Sequence, residues 1–306
     1  MKFRRPVIYL LTAFFLQAAV PPLALGAGTA ASDQPENRLL LWYRNYDSPP
    51  IRSLVSLALQ KTPEYPPYIL TRSPEMSQGR VVRELSKPDS KLLDIANIAS
   101  NTEREKKLTA VPIPIDGGLL GLRVCVVRKE DLPKFDGITT LKDLAESGIR
   151  IGQGTHWPDS SILQVNGIEV VTHSRYEILF RMLDNDRFEC FARGVSEVLY
   201  DLRLKSNPEY VIEPDLLLAY AMPSFFFVNK GNESLAHRLQ LGMERAILDG
   251  SFAAYLDRFY GKPIRELNLG ARHILVLDNP FLSRDSWQVG QRTLQDLRTR
   301  IHRMRD

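Results

Sequence analysis

The feature that most constrains the fold is a regular alternation of apolar runs and helical segments that begins near residue 38. Leu39–Tyr43, Tyr68–Thr71 and Leu92–Ala99 are apolar runs of strand length. Between them, Ile51–Gln60 and Met76–Leu85 carry apolar residues three and four positions apart, which predicts two helices. A β-α-β-α-β order predicts a parallel sheet covered by helices.

A second alternation of the same kind follows further along the chain. Its predicted helices and strands are Thr139–Ser147, Ile149–Gly152, Asp159–Val165, Glu169–Thr172, Tyr176–Leu183, Phe188–Ala192 and Ser196–Leu204. A turn is expected at Gly152–Thr155, between a strand and a helix. The chain therefore contains two α/β units.

Extended stretches broken by proline or glycine separate these units. The first, Leu108–Ile115, leads through a glycine-rich segment into the β-branched run Leu122–Val127. The second, Leu216–Val228, consists of two extended runs split by Pro223. A chain that passes between two lobes must bend at defined points without a helix, so both stretches are predicted to be crossings.

The predicted fold class is therefore α/β, two-lobed, with two hinge crossings and a cleft between the lobes. We assign 38–121 to the first lobe, 122–222 to the second, 223–280 to a return to the first, and 281–306 to a basic helical tail. Glu233–Tyr260 is predicted to be helical with a break at Gly250. Clefts between domains are favoured sites for small ligands.

The first residues predict export. A basic start is followed by an apolar run to about Val20 and then by small residues, which is the pattern of a cleaved signal peptide over 1–27. The alternative is a membrane anchor, but the run is shorter than the roughly 20 residues that span a bilayer. A lipid anchor is not expected, since no Cys lies there. We therefore expect a periplasmic protein.

The net charge of the chain gives no support for a nucleic-acid partner. The full chain carries 40 basic and 36 acidic residues, or +4. Segment 1–27 holds three of the basic residues and no acidic ones, so 37 minus 36 leaves +1 after cleavage. We expect a monomer with a small-molecule partner and no nucleic acid.

The sequence predicts no metal site, no recognisable catalytic site and no cofactor. Cys125 and Cys190 either pair as a disulfide, as an oxidising compartment allows, or remain two buried thiols. No zinc-protease, nucleophile-elbow or phosphate-loop motif is present, and the five histidines are scattered.

Four segments, in this order, carry a resemblance to a known family. They are Thr102–Glu105, Gly154-Thr155, Arg187–Cys190 and Ala246–Ser251. Over roughly 38–262 the chain resembles periplasmic solute-binding proteins of family 3, the amino-acid-binding type with a type II periplasmic binding fold. It is more similar still to an uncharacterised, transporter-associated branch, through Gly118–Gly121, Gly152–Trp157 and Arg193–Glu197.

The resemblance implies that Arg104 holds the carboxylate of a ligand. A guanidinium can grip a carboxylate through two parallel hydrogen bonds, although Arg104 could equally be a charged surface residue. Thr155 and the turn around it could offer backbone N–H groups at a helix start, whereas Asp159 could instead cap that helix. Trp157 is expected to form a wall over the ligand or to fill the hinge.

Arg193 marks a departure from the family, which places an acid near this position for the ammonium group of a ligand. Two arginines facing one cleft would favour an anionic solute, unless Glu197 neutralises Arg193 as an i,i+4 pair on a helix. Tyr43 and Tyr46 follow the first strand and could stack on a ligand or pack locally, because strand-end loops line the crevice of such sheets.

These observations lead to three hypotheses of function. The first is a binding protein for a small, polar, carboxylate-bearing solute, working with a membrane transporter or a sensor. The alternative is a periplasmic dehydratase-like enzyme on the same scaffold, with His156 as its acid–base group. The third is an interaction protein that uses the basic tail beyond Pro280.

Overall fold

A computed structural model describes residues 37–88 and 90–302. The signal peptide expected at 1–27 lies outside the described residues, as do the last four residues of the basic tail. No helix within the described part of the chain combines the length and the apolarity that a membrane crossing requires.

The chain folds into two β-sheets with helices packed on them. The strands are β1 Arg38–Leu41, β2 Ile69–Arg72, β3 Ile95–Ala99, β4 Thr109–Val111, β5 Leu122–Arg128, β6 Ile151–Gly154, β7 Val170–His173, β8 Cys190–Gly194, β9 Tyr210–Ile212, β10 Leu216–Ala219, β11 Ser224–Val228 and β12 His273–Val276. The α-helices are α1 Tyr43–Tyr46, α2 Pro49–Gln60, α3 Gln78–Leu85, α4 Thr102–Lys107, α5 Leu141–Glu146, α6 Pro158–Val165, α7 Tyr176–Asp184, α8 Val198–Lys205, α9 Glu233–Leu248, α10 Ser251–Leu256, α11 Lys262–Glu266 and α12 Arg284–His302.

The first sheet has five strands in the order β2-β1-β3-β11-β4. Strands β2, β1 and β3 are parallel, as the first alternation predicted; β11 pairs antiparallel with β3, and β4 pairs antiparallel with β11. Because β1 lies between β2 and β3, the connection from β1 to β2 and the connection from β2 to β3 run in opposite directions across the sheet. This creates a topological switch point at the carboxyl end of β1.

The second sheet has seven strands, with β12-β10-β5-β8-β6-β7 in order and β9 beside β5. Here β6 lies between β7 and β8, and all three are parallel. The second α/β unit therefore repeats the strand order of the first, with its own switch point at the carboxyl end of β6.

Both predicted crossings pass between the sheets. The chain leaves the first sheet after β4 and enters the second at β5, and it returns between β10 and β11, across Pro223. A further passage, which was not predicted, brings β12 to the second sheet, where it pairs in parallel with β10. The range 223–280 therefore does not stay with the first sheet throughout.

The helices begin and end where local sequence dictates. Pro49 occupies the first turn of α2, where its fixed φ suits the helix and its missing N–H costs nothing. Thr140 and Asp143 form a reciprocal capping box at the start of α5. Gly250 has a φ of +80°, which breaks the predicted helical stretch between α9 and α10.

The tail helix α12 packs on both of the predicted crossings between the sheets. Gly118 of the first crossing lies against Thr293 and Leu297, and Gly290 of the helix lies against Ala221 and Pro223 of the second. Since an added Cβ at Gly118 would lie 2.2 Å from Thr293, the contact requires glycine there. The predicted basic helix is thus a packed element rather than a solvated one.

Candidate functional site

The two switch points face one cavity of about 560 Å³. From the first sheet, the residues after β1 and the end of β3 line it, and from the second sheet, the residues after β6 and the end of β8. The residues that line the cavity include Tyr43, Arg44, Gln78, Ala99, Asp116, Arg123, Trp157, Asp159, Tyr176, Arg193, Glu197, Asp201 and Arg203. Crevices at the carboxyl ends of parallel strands are where open α/β sheets bind ligands.

Arg104 is buried and connects the two sheets. Its Nη1 donates to the backbone oxygen of Ala99 at 2.6 Å, and its Nη2 donates to Gln78 Oε1 at 3.0 Å and to the backbone oxygen of His156 at 2.7 Å. Ala99 and Gln78 belong to the side of the first sheet, whereas His156 follows β6 in the second. Burial lowers the pKa of Arg104 to about 10, since none of these three acceptors carries a charge.

Arg104 does not line the cavity itself, whereas its hydrogen-bond partners Gln78 and Ala99 do. Asn101 caps α4, since its Oδ1 accepts a hydrogen bond from the backbone N–H of Arg104 at 2.8 Å. The residue expected to hold a carboxylate thus lies immediately behind the cavity wall, at the junction of the sheets.

Three other candidate residues lie away from the cavity. Thr155 is exposed, and its N–H donates to the backbone oxygen of His173 at 3.1 Å, extending the β6–β7 pairing. The expected turn over Gly152–Thr155 is therefore mostly strand. The His156 side chain is exposed and lies against Gly79. Tyr46 faces a separate surface groove with Arg52.

Tyr43 and Trp157 line the cavity from opposite sheets. Trp157 precedes α6 and stacks on Phe191 of β8, with ring centroids 6.3 Å apart and planes within 11°. Tyr176, at the start of α7, completes a triangle of rings at 6.4 Å from Trp157 and 6.1 Å from Phe191. Trp157 therefore forms part of the cavity wall, and its role over a ligand stays a prediction.

Arg193 is buried at this wall and is already paired with two acids. Its Nε donates to Asp201 Oδ2 at 2.7 Å, and its Nη2 lies 3.2 Å from Glu197 Oε2. Burial alone would lower the pKa of Arg193, but the two carboxylates raise it above its ordinary value. Glu197 does neutralise Arg193, as one interpretation held, although Arg193 lies on β8 rather than on a helix.

Arg123 forms a second buried cluster on the other side of Glu197. Its Nη2 lies 2.8 Å from Asp159 Oδ1, and its Nη1 lies 3.5 Å from Glu197 Oε2. Tyr220 donates its hydroxyl proton to Asp159 Oδ1 at 2.5 Å. Asp159 therefore belongs to this cluster, and its expected role as a helix cap is wrong, since Trp157 occupies the cap position of α6.

Gly194 makes the meeting of these groups possible. An added Cβ would lie 2.8 Å from Arg123 Nη1 and 3.0 Å from Glu197 Oε2, so a side chain here would collide with both. The side chain of Glu197 keeps 41% of its surface exposed and faces the cavity. An acidic side chain, that of Glu197, therefore faces the cavity four positions after Arg193.

The charges on the cavity lining are nearly balanced. Six acidic residues line it (Asp47, Asp116, Asp159, Glu177, Glu197 and Asp201) against five basic ones (Arg44, Arg123, Arg193, Arg203 and Lys205). Burial raises the pKa of Asp116 to about 6, against the backbone hydrogen bonds that it accepts from Gly118 and Leu120. A balanced lining fits a solute that carries both charges better than a purely anionic one.

A disulfide joins the strands that carry Arg123 and Arg193. Cys125 of β5 and Cys190 of β8 are bonded to each other, which decides between the two states that the sequence left open. Because β5 holds Arg123 and β8 holds Arg193, the crosslink joins the two paired strands from which these clusters extend.

Sequence reasoning missed Arg123, Tyr176 and Asp201. Arg123 is a charged residue inside an otherwise apolar run, Leu122–Val127, and that departure was a usable signal. Asp201 lies eight residues after Arg193 and four after Glu197, and acids four residues apart on a helix lie on the same face. Nothing local singled out Tyr176, because it reads as part of an amphipathic helix.

Within residues 37–88 and 90–302, no three His, Cys, Asp or Glu side chains come together in a way that could hold a metal ion.

The two sheets, their crossings and the cavity between them define a two-lobed periplasmic-binding-protein architecture. Solved structures with this architecture include an ancestral arginine-binding protein bound to arginine, at a TM-score of 0.56 and 16% identity over 74% of this chain and 99% of that chain. An amino acid ABC transporter substrate-binding protein from Streptococcus pneumoniae, bound to L-arginine, gives 0.53 and 14% over 74% and 96%. An ancestral amino acid-binding protein described as a precursor of cyclohexadienyl dehydratase gives 0.52 and 13% over 73% and 96%.

These likenesses confirm the predicted fold: the chain has the α/β architecture of amino-acid-binding periplasmic proteins. No protein-family model matches the sequence, and a search among curated proteins finds no match.

Proposed function

We propose that this protein is an extracytoplasmic solute-binding protein that closes on a small, polar, carboxylate-bearing solute and presents it to a membrane transporter or a sensor. The observation that carries the proposal is the cavity of about 560 Å³ at the facing switch points of the two sheets. Its volume lies within the range of about 300–1,000 Å³ that is typical of small-molecule sites.

In this proposal the lobes move about the crossings. Residues 38–121 and the segment returning after 223 form one lobe, residues 122–222 form the other, and bends at 112–121 and 220–223 open the cavity. Hinge closure of this kind is a common response to a ligand that bridges two lobes. The tail helix α12 would brace the bends, since it touches both.

Arg104 is the group that we expect to recognise the carboxylate. It is buried with only uncharged acceptors, and one of them, the backbone oxygen of His156, belongs to the second sheet. A ligand carboxylate that replaced this carbonyl would compensate the guanidinium charge and make a stronger, charge-assisted hydrogen bond. The exposed part of Glu197 is placed to meet an ammonium group on the same solute.

The test is ligand binding by calorimetry and thermal shift, against amino acids and organic acids, after unfolding and refolding to remove any bound solute. Arg104→Ala is expected to weaken binding of the best ligand by at least about 100-fold, because a charge-assisted pair is lost. Arg52→Ala, in the separate surface groove, is the matched control and should leave the affinity unchanged.

Two results would contradict the proposal at different levels. If Arg104→Ala bound as tightly as the wild type, the assigned carboxylate site would be wrong. If the wild type bound no compound, and native mass spectrometry of periplasmic protein found no small molecule, the binding function itself would fail. The dehydratase-like alternative depended on His156 as its acid–base group, and the His156 side chain is exposed and does not line the cavity.

A further inference from the structure

One wall of the cavity has the composition of a cation site. The rings of Trp157, Tyr176 and Phe191 form a nearly equilateral triangle, with centroids 6.4, 6.3 and 6.1 Å apart. Arg193 Cζ lies 5.1, 5.2 and 5.3 Å from these three centroids, and so stands above the centre of the triangle. Aromatic faces arranged in this way attract cations through the quadrupoles of the rings.

Carboxylates complete the site. Asp201 accepts from Arg193 Nε at 2.7 Å, and Glu197 lies 3.2 Å from Nη2. The guanidinium therefore has the three rings on one side and two carboxylates at its edge. Only 3% of the surface of Arg193 is exposed to solvent. The cation held by the three rings and the two carboxylates is thus the guanidinium of Arg193, a residue of the protein itself.

We propose that Arg193 occupies a cation cage of the protein's own, and that the cavity consequently selects solutes with a neutral or acidic side chain and rejects those with a cationic one. This specificity rests on the proposed function, that the cavity holds a solute. A cationic side chain of an incoming solute would find the ring faces and Asp201 already occupied by Arg193, and it would meet the charge of Arg193, while the exposed part of Glu197 stays available to the ammonium group of the solute. Arg44, whose Cζ stands 4.1 Å from the centroid of Tyr176, adds a second positive charge at the same wall.

Removing the side chain should turn the cage into an open receptor for a cation. Arg193→Ala leaves the three rings and both carboxylates, and ethylguanidine reproduces the deleted atoms. Ethylurea is its neutral isostere and serves as the matched probe. Arg203→Ala removes another cavity-lining arginine that lies outside the cage, and it is the control variant.

We expect Arg193→Ala to melt at a lower temperature than the wild type and to recover with ethylguanidine in a saturable way. Calorimetry should give a Kd for ethylguanidine at least about tenfold lower than that for ethylurea. The wild type and Arg203→Ala should not distinguish the two compounds. If Arg193→Ala is recovered only as insoluble protein, refolding from urea should succeed with ethylguanidine and fail with ethylurea.

An Arg193→Ala protein that responds equally to both compounds, or to neither, would overturn the cage, as would refolding that neither compound improves. On the wild type, L-citrulline should bind more tightly than L-arginine, its cationic isostere, and the reverse order would overturn the specificity. A wild type that binds no solute would instead contradict the proposed function, while the ethylguanidine experiment would still decide the cage.

Discussion

Removing the disulfide should cost a large part of the stability of the second sheet. Cys125 and Cys190 are separated by 65 positions in the chain, so the crosslink closes a long loop in the unfolded state. The loop-closure model puts the lost stabilisation at about 4 kcal/mol at 25 °C for a loop of this length. Both sulfurs are buried, between strands that are held by backbone pairing, so the reduced thiols should remain in place in the native state.

The assay is equilibrium unfolding in guanidinium chloride with and without reductant. With a slope of about 5 kcal/mol per M, a loss of about 4 kcal/mol lowers the midpoint by about 0.8 M. The Cys125→Ala/Cys190→Ala double variant is the control, because reductant should not move its midpoint. If alkylation and mass spectrometry found both thiols reduced while the wild-type midpoint moved by less than about 0.2 M, the entropic argument would be refuted.

Two further predictions concern buried groups. Because the pKa of Asp116 is raised to about 6 in the folded state, its contribution is present at low pH and is lost as pH rises through that value. Urea unfolding should show the wild type losing about 2–3 kcal/mol between pH 4 and 7 relative to Asp116→Asn, and parallel pH profiles would contradict this. At Gly242 of α9, an added Cβ would lie 2.0 Å from the backbone oxygen of Ala58 in α2. Gly242→Ala should therefore lower the unfolding free energy by about 2–4 kcal/mol in thermal or urea unfolding, whereas Glu244→Ala on the exposed face should change it by less than about 0.5; equal effects would argue against this packing.

The sequence was sufficient for the features that depend on neighbouring residues. The apolar runs and helical spacings predicted the parallel order around β1 and β6, because periodicity reports which face of an element is buried. Pro223 and Gly250 marked a crossing and a helix break, since their backbone preferences act at the position where they stand. The segment Gly152–Trp157 drew attention to Trp157, which lines the cavity, and its contact with a ligand stays a prediction.

Only the tertiary structure decided what each charged side chain meets. Arg104 donates to carbonyl and amide oxygens 5, 26 and 52 positions away, and no local pattern specifies such partners. Arg193 was expected between a strand ending at Ala192 and a helix beginning at Ser196, and the direction of its side chain within β8 depends on strand register, where a shift of one residue turns a side chain to the opposite face. The disulfide and the pairing of β12 with β10 likewise depend on segments brought together only by folding, because contact between distant residues is a property of the packed chain rather than of any window of sequence.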